Sequence, residues 1–306
     1  MALSGKANIL LILAAVASCT ANPGSPVGEV AAAPLPEAAP AAPRPEESAP
    51  RRRFWLAQPA QQGAVTIARA PTAAISVSFN GADVPLTPDG FFLLGFDRDA
   101  ENSASLVATL ADGQKIEEYL PVRPGNWAIQ HVNANPLGGA RTTEEFQARR
   151  AGELAQINAA RSVGNDSGGW RQNFIWPVRG PISGRFGSQR IYNGTPGSYH
   201  SGLDIAMPSG TTFVAPADGV VVLAAQTPFT LEGYLLMIDH GMGLNSAFLH
   251  SSELLVKVGD VVRQGQPIGK VGATGRASGP HLHWGMKWRA ARVDPLFLLG
   301  SAPPAG

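Results

Sequence analysis

The sequence predicts a mainly β protein, with a C-terminal antiparallel β-sheet domain preceded by a small β-sandwich-like domain and one linking helix. Three observations carry this reading. Short runs of period-two hydrophobicity bounded by turn dipeptides fill two regions, about 53–130 and about 173–300; only one stretch, Thr143 to Arg161, has helical spacing; and glycine turns punctuate the β regions. At 306 residues the chain is long enough for about two domains.

The N-terminal segment, 1–18, reads as an export signal. Lys6 supplies a positive charge, and Ile9 to Val16 forms an apolar run too short to span a bilayer. Val16-Ala17-Ser18-Cys19 resembles a lipobox, which would place lipid on Cys19 and hold the protein at a membrane surface; the alternative is an ordinary secretory signal with Cys19 incidental. A lone cysteine cannot form an intramolecular disulfide, which favours the lipid. Residues 19–52 are dominated by Pro and Ala, an extended tether that the run Arg51-Arg52-Arg53 closes. Lys+Arg 24 against Asp+Glu 23 leaves a net charge of +1, so no global field recruits nucleic acid.

The β elements follow in order. Ile75 to Phe79 alternates and runs into Asn80-Gly81, and Ser105 to Leu110 faces Gln114 to Leu120 across Asp112-Gly113; both are hairpin signals. This small domain has no cluster of chemistry-bearing side chains, so its expected role is spacing, docking or covering a groove. Within 131–172 the helix 143–161 is marked by a capping box of Thr142 with Glu145, by Phe146, Leu154 and Ile157 on one face, and by Glu145/Arg149 and Arg149/Glu153 at i,i+4. In the last domain Ala217 to Leu223 and Tyr234 to Asp239 read as strands.

Two clusters in that domain suggest a metal site. In His200-Ser201-Gly202-Leu203-Asp204 an imidazole and a carboxylate four residues apart converge on one cation if the chain turns at Gly202. In His281-Leu282-His283 both rings project from the same face of a strand. A hydrolytic zinc takes three N/O ligands and keeps one position for water. His200, Asp204 and one of His281/His283 meet that need, and spacing leaves the choice between the two open. Taken singly, each histidine is as readily an ordinary polar or core residue.

Residues 176–297 resemble the LytM/lysostaphin-type zinc metallopeptidases. The resemblance rests on Gly184-Arg185-Phe186-Gly187, His200 to Ala206, Ala215 to Gly219, Ile238-Asp239-His240-Gly241, Phe248-Leu249-His250, Val258-Gly259-Asp260 and Thr274 to His283. It implies that His200, Asp204 and His283 bind one Zn2+, that His281 is the general base, and that His250 orients water or stabilises the oxyanion. Tyr192 would donate a further hydrogen bond to the oxyanion, and His240 and His131 would be structural. It also implies a substrate, the peptide cross-links of bacterial peptidoglycan, with the bond between D-alanine and diaminopimelate expected here. A lipid-tethered enzyme with a long Pro/Ala arm suits the periplasmic face of an outer membrane. Ser251-Ser252 depart from the leucine common after the histidine matching His250. Two other classes compete: a catalytically silent LytM-type module that binds peptidoglycan or activates a separate amidase, with a regulatory protein partner, and a carrier module suggested by Val258 to Gly269, which lacks the Met-Lys-Met such modules carry.

Overall fold

The computed structural model describes residues 51–134 and 143–299. The expected export signal, Cys19 and the Pro/Ala stretch up to residue 50 lie outside the described residues. No helix among the described residues is long and apolar enough to cross a membrane.

The first β region forms two small sheets. One has the order Ala82–Val84, Ala74–Phe79, Ser103–Leu110, Lys115–Pro121, and the other Trp55–Leu56, Val65–Arg69, Phe91–Gly95, all antiparallel. Asn80 and Gly81 both have positive φ, +49° and +78°, as a two-residue hairpin turn requires. Alternation does the rest: Ala104, Leu106 and Ala108 of one sheet are buried in the same core as Phe92 and Leu94 of the other.

That core does not stop at the end of the first region. Phe79 packs edge-on against both Phe96, at 5.5 Å, and Trp288, at 5.9 Å, so side chains from both ends of the chain share one hydrophobic cluster. Gly95 makes the approach possible, since a Cβ there would lie 2.8 Å from the Trp288 side chain. The segment expected to begin a linker at residue 131 also differs. Ile129–Val132 is a strand paired in parallel with Gln189–Tyr192, placing His131 beside Ile191. Its polar, exposed sequence gave no amphipathic signal; its partner supplies the pairing.

The second region is built on an eight-stranded antiparallel sheet. Its order is Val261–Val262, Gly219–Ala224, Tyr234–Asp239, Leu244–Ser251, His281–Trp288, Gly202–Ala206, Ile182–Gly184, with Ala291–Val293 paired to His281–Trp288. The His281–Trp288 strand sorts its side chains by parity. Leu282, Trp284, Met286 and Trp288 enter the core, so His281, His283, Gly285 and Lys287 take the other face.

Helix α1, Glu144–Ser162, lies on that other face. Ile157 is buried among Val222, Leu223 and Met237, with Ala247 and Leu249 packed beside them. Its cap falls one residue later than the sequence pattern indicated: Thr143 accepts from the Phe146 amide at 3.1 Å, and no acidic side chain stands at the third helical position to close a box. Of the anticipated ion pairs, Arg149–Glu153 forms at 3.3 Å. Glu153 is buried and also takes Arg150 at 3.0 Å and the Thr230 amide and hydroxyl at 2.6 and 2.7 Å, fastening the helix to the sheet.

Beneath the sheet, His240 is fully buried and its tautomer is fixed by its partners. The Asp218 carbonyl can only accept, so His240 Nδ1–H donates to it at 2.8 Å; the Ser246 hydroxyl then donates to Nε2 at 2.8 Å and accepts from Trp284 Nε1 at 3.2 Å. Neighbouring Asp239 is equally buried, and burial pushes its carboxyl up to about 6 against the opposing hydrogen bonds from Gly241 and Asn165. A raised folded pKa contributes stability that is full below the unfolded value near 3.8 and is lost as pH rises through about 6. Between pH 4 and 7 the unfolding free energy of Asp239→Asn should therefore gain roughly 2 kcal/mol relative to the parent chain. Denaturant titrations at the two pH values measure this, and a pH-independent difference would exclude a buried, strained carboxylate.

Candidate metal centre

Three lone-pair atoms meet on the helix-bearing face of the sheet. His200 Nε2 lies 3.0 Å from Asp204 Oδ1 and 3.1 Å from His283 Nδ1, and His283 Nδ1 lies 2.8 Å from the same Asp204 oxygen. Strand pairing accounts for two of them: Asp204 and His283 are direct cross-strand partners, so their side chains leave the same face at the same level. His200 precedes the strand and is held from both sides. Its amide donates to the Ser188 carbonyl at 2.8 Å, and its carbonyl accepts from the Gly187 amide at 2.8 Å.

The donor set fits a cation. The Arg185 carbonyl accepts from His200 Nδ1 at 3.0 Å, so in the neutral ring Nε2 carries the lone pair and points it at the Asp204 carboxylate. Two lone pairs at 3.0 Å repel unless a proton or a metal ion stands between them. Burial opposes ionisation of Asp204, but the hydrogen bonds to His200 and His283 outweigh it and hold the carboxyl well below the ordinary range. Among the described residues this trio is the one group arranged to hold a metal ion.

Two glycines make room for it. A Cβ on Gly202 would lie 2.6 Å from His283 Nε2 and 2.7 Å from the Trp284 carbonyl, and one on Gly184 would lie 2.5 Å from Asp204 Oδ2. Both residues stand in the quoted stretches, but only the packing explains why a side chain is excluded there.

The remaining sequence candidates divide. His281 Nδ1 donates to the Gly279 carbonyl at 2.8 Å, leaving Nε2 3.8 Å from Asp204 Oδ1. His250 Nδ1 donates to the Thr274 carbonyl at 2.9 Å, and its ring lies 4.9 Å from that of His281 and 6.2 Å from that of His283. His250 adopts φ +64° at the end of its strand, beside an irregularity in the pairing with Tyr234–Asp239; a non-glycine residue in this region stores strain, and bulges re-aim side chains. Burial lowers the His250 imidazole to about 4. Tyr192 lines the same open groove as His200 and Asp204.

Two contributors left no legible signal. Arg276 lines that groove too. Arg98, from the first β region, is buried, stacks 4.9 Å from the Tyr199 ring, and donates to the Gly187 carbonyl at 3.1 Å and the Gln189 side chain at 2.9 Å. It thereby braces the loop that holds His200, which no local motif reveals.

The profile of peptidase family M23 matches residues 198–295. The peptidoglycan DD-endopeptidase ShyA of Vibrio cholerae is 40% identical over 38% of this chain and 26% of its own length. The murein hydrolase activator EnvC of Escherichia coli is 32% identical over 64% of this chain and 49% of its own length. The chain thus spans about a quarter and about half of these two relatives. A solved structure from Pseudomonas aeruginosa, provisionally assigned to peptidase M23, superposes with a TM-score of 0.61 at 28% identity, covering 80% of this chain and 97% of that one. Through residues 198–295 the chain is similar to peptidase family M23, the LytM type.

Proposed function

We propose that the chain is a zinc-dependent endopeptidase that hydrolyses peptide cross-links of peptidoglycan, with one Zn2+ held by His200, Asp204 and His283. The observation that carries the reading is the convergence of those three ligand atoms with His281 and His250 on the same face. Bound there, zinc supplies Lewis acidity, lowering the pKa of water toward about 7 and polarising a carbonyl.

The chain's own residues supply the rest. With Nδ1–H committed to Gly279, neutral His281 presents a bare Nε2 toward the metal trio, the state a general base needs. His250 is held in the same tautomer by Thr274, so its free nitrogen accepts rather than donates. Of the two roles the resemblance allows, orienting water by accepting its proton fits this tautomer, and burial keeps the ring neutral down to about pH 4. Donation to an oxyanion then falls to Tyr192, which has a phenolic hydrogen to give and lines the groove.

The same reading places the protein in the bacterial cell envelope, anchored through lipid on Cys19 to the outer membrane and facing the periplasm. Digestion of purified sacculi by the zinc-loaded full chain should release peptide-cleaved muropeptides and stop on addition of chelator. A folded, zinc-loaded chain that releases none would sink the enzyme reading. It would instead favour the second one, an activator of another murein hydrolase acting through a regulatory protein partner, which is supported by the reach of the EnvC similarity beyond the peptidase domain.

A further inference from the structure

Arg150, Leu154, Ile157 and Arg161 form one stripe along helix α1, at helical spacing, and that stripe faces the metal-bearing side of the sheet. Between them is a cavity of about 180 Å³, with His283 in its wall. The metal centre therefore has a second neighbour besides the open groove that contains His200 and Asp204.

The charges of this cavity are unbalanced. Arg150 forms a bidentate pair with Glu232 at 2.6 and 2.7 Å, which neutralises the one carboxylate in the lining. Arg161, Lys287 and Arg292 also line it, and among the described residues none of the three forms an ion pair. Arg292 stacks 5.8 Å from the Tyr199 ring at the mouth, and Arg161 Nε is buried with no hydrogen-bond partner. Burial and the neighbouring positive charges lower the pKa values of both Arg161 and Lys287, outweighing the opposing fields of Glu232 on the first and of Asp97, which accepts from the Arg292 amide at 2.8 Å, on the second. Arg161 and Lys287, both partly buried, are costly to leave side by side unless an anion joins them, exposed Arg292 adds a further donor, and guanidinium groups match carboxylates in a planar, bidentate manner.

We propose that this cavity is a subsite for a peptide carboxylate, held by Arg161, Lys287 and Arg292 beside the metal centre. It rests on the endopeptidase reading for the identity of the peptide, and it assigns α1 a part in substrate recognition. The subsite selects peptides that carry a free carboxylate near the bond to be cut, and discriminates against amidated ones.

Binding tests this without turnover, so its outcome is separable from that of the cleavage assay. N-acetyl-D-alanine, N-acetyl-D-alaninamide and inorganic phosphate are titrated into the full chain, zinc-loaded and metal-stripped, by ligand-observed NMR. The expected result is at least a tenfold preference for the acid over the amide in both forms of the protein. The preference should be lost in Arg161→Gln/Lys287→Gln with zinc content unchanged, and kept in Lys287→Arg. Equal binding of acid and amide overturns the proposal, a result that needs no variant. So does a preference that vanishes with the metal, which would place the carboxylate on zinc, or one that persists in the double variant. Phosphate binding that excludes the acid overturns the peptide assignment in favour of a free-phosphate site.

Discussion

Replacing His283 with alanine is expected to take bound zinc from one equivalent to none and to lower cleavage of cross-linked muropeptides by well over a hundredfold. The magnitude matters because losing a residue that merely supports a metal ligand costs about 10–100-fold, whereas losing a ligand exceeds that range. His283 Nδ1 lies 2.8 Å from Asp204 Oδ1 and 3.1 Å from His200 Nε2, so no other nitrogen can replace it without moving a strand. His281 cannot substitute, because its free nitrogen stands 3.8 Å from the same oxygen and its other nitrogen is tied to Gly279. Metal analysis and a muropeptide digest on the same preparation provide the check. Full zinc occupancy in His283→Ala would move the site elsewhere. Unaltered cleavage with zinc lost would detach catalysis from the metal.

Gly202→Ala is the second large effect, and it involves no chemical group at all. The added methyl would meet His283 Nε2 at 2.6 Å and the Trp284 carbonyl at 2.7 Å, one a side chain and the other backbone. Rotating the imidazole relieves only the first clash, so the pair Gly202/Gly285 must spread and carry the ligand with it. Overpacking of this kind costs about 1–3 kcal/mol, and a displacement near 1 Å at a reacting centre costs about a hundredfold in rate. The expected result is zinc affinity reduced tenfold or more and cleavage reduced about a hundredfold, with the fold retained. Gly152→Ala is the matching control, since nothing lies within 4 Å of its added methyl and a helical glycine-to-alanine change stabilises by about 0.5–1 kcal/mol. Parent-like zinc affinity in Gly202→Ala would show that the site tolerates a slack that its packing denies.

The sequence by itself determined the β character, the hairpin at Asn80-Gly81 and the residue types from which a metal site can be built, His200, Asp204 and one of His281 and His283. Each depends on local rules: alternation sets which side chains share a face, the turn dipeptide needs positive φ, and a His-x-x-x-Asp and a His-x-His supply ligands of the right type. It left His281 and His283 equivalent by spacing, because both occupy one face of one strand. Register separated them in space, since His283 is paired directly with Asp204 while His281 sits opposite Ala206.

What only the tertiary structure decided involves residues far apart in the chain. Arg98 braces the His200 loop from 89 residues upstream of Gly187. Phe79 and Trp288 join the two β regions into one core, and Ile129–Val132 finds its pairing partner some sixty residues further on. Helix α1, legible as a helix, gave no sign that it lies over the face that carries the His200, Asp204 and His283 trio, because an amphipathic stripe states that a surface is covered but not which one. The cationic cavity exists only because that stripe brings Arg161 over Lys287. Burial and charge proximity are properties of the folded chain, and no spacing within the sequence encodes them.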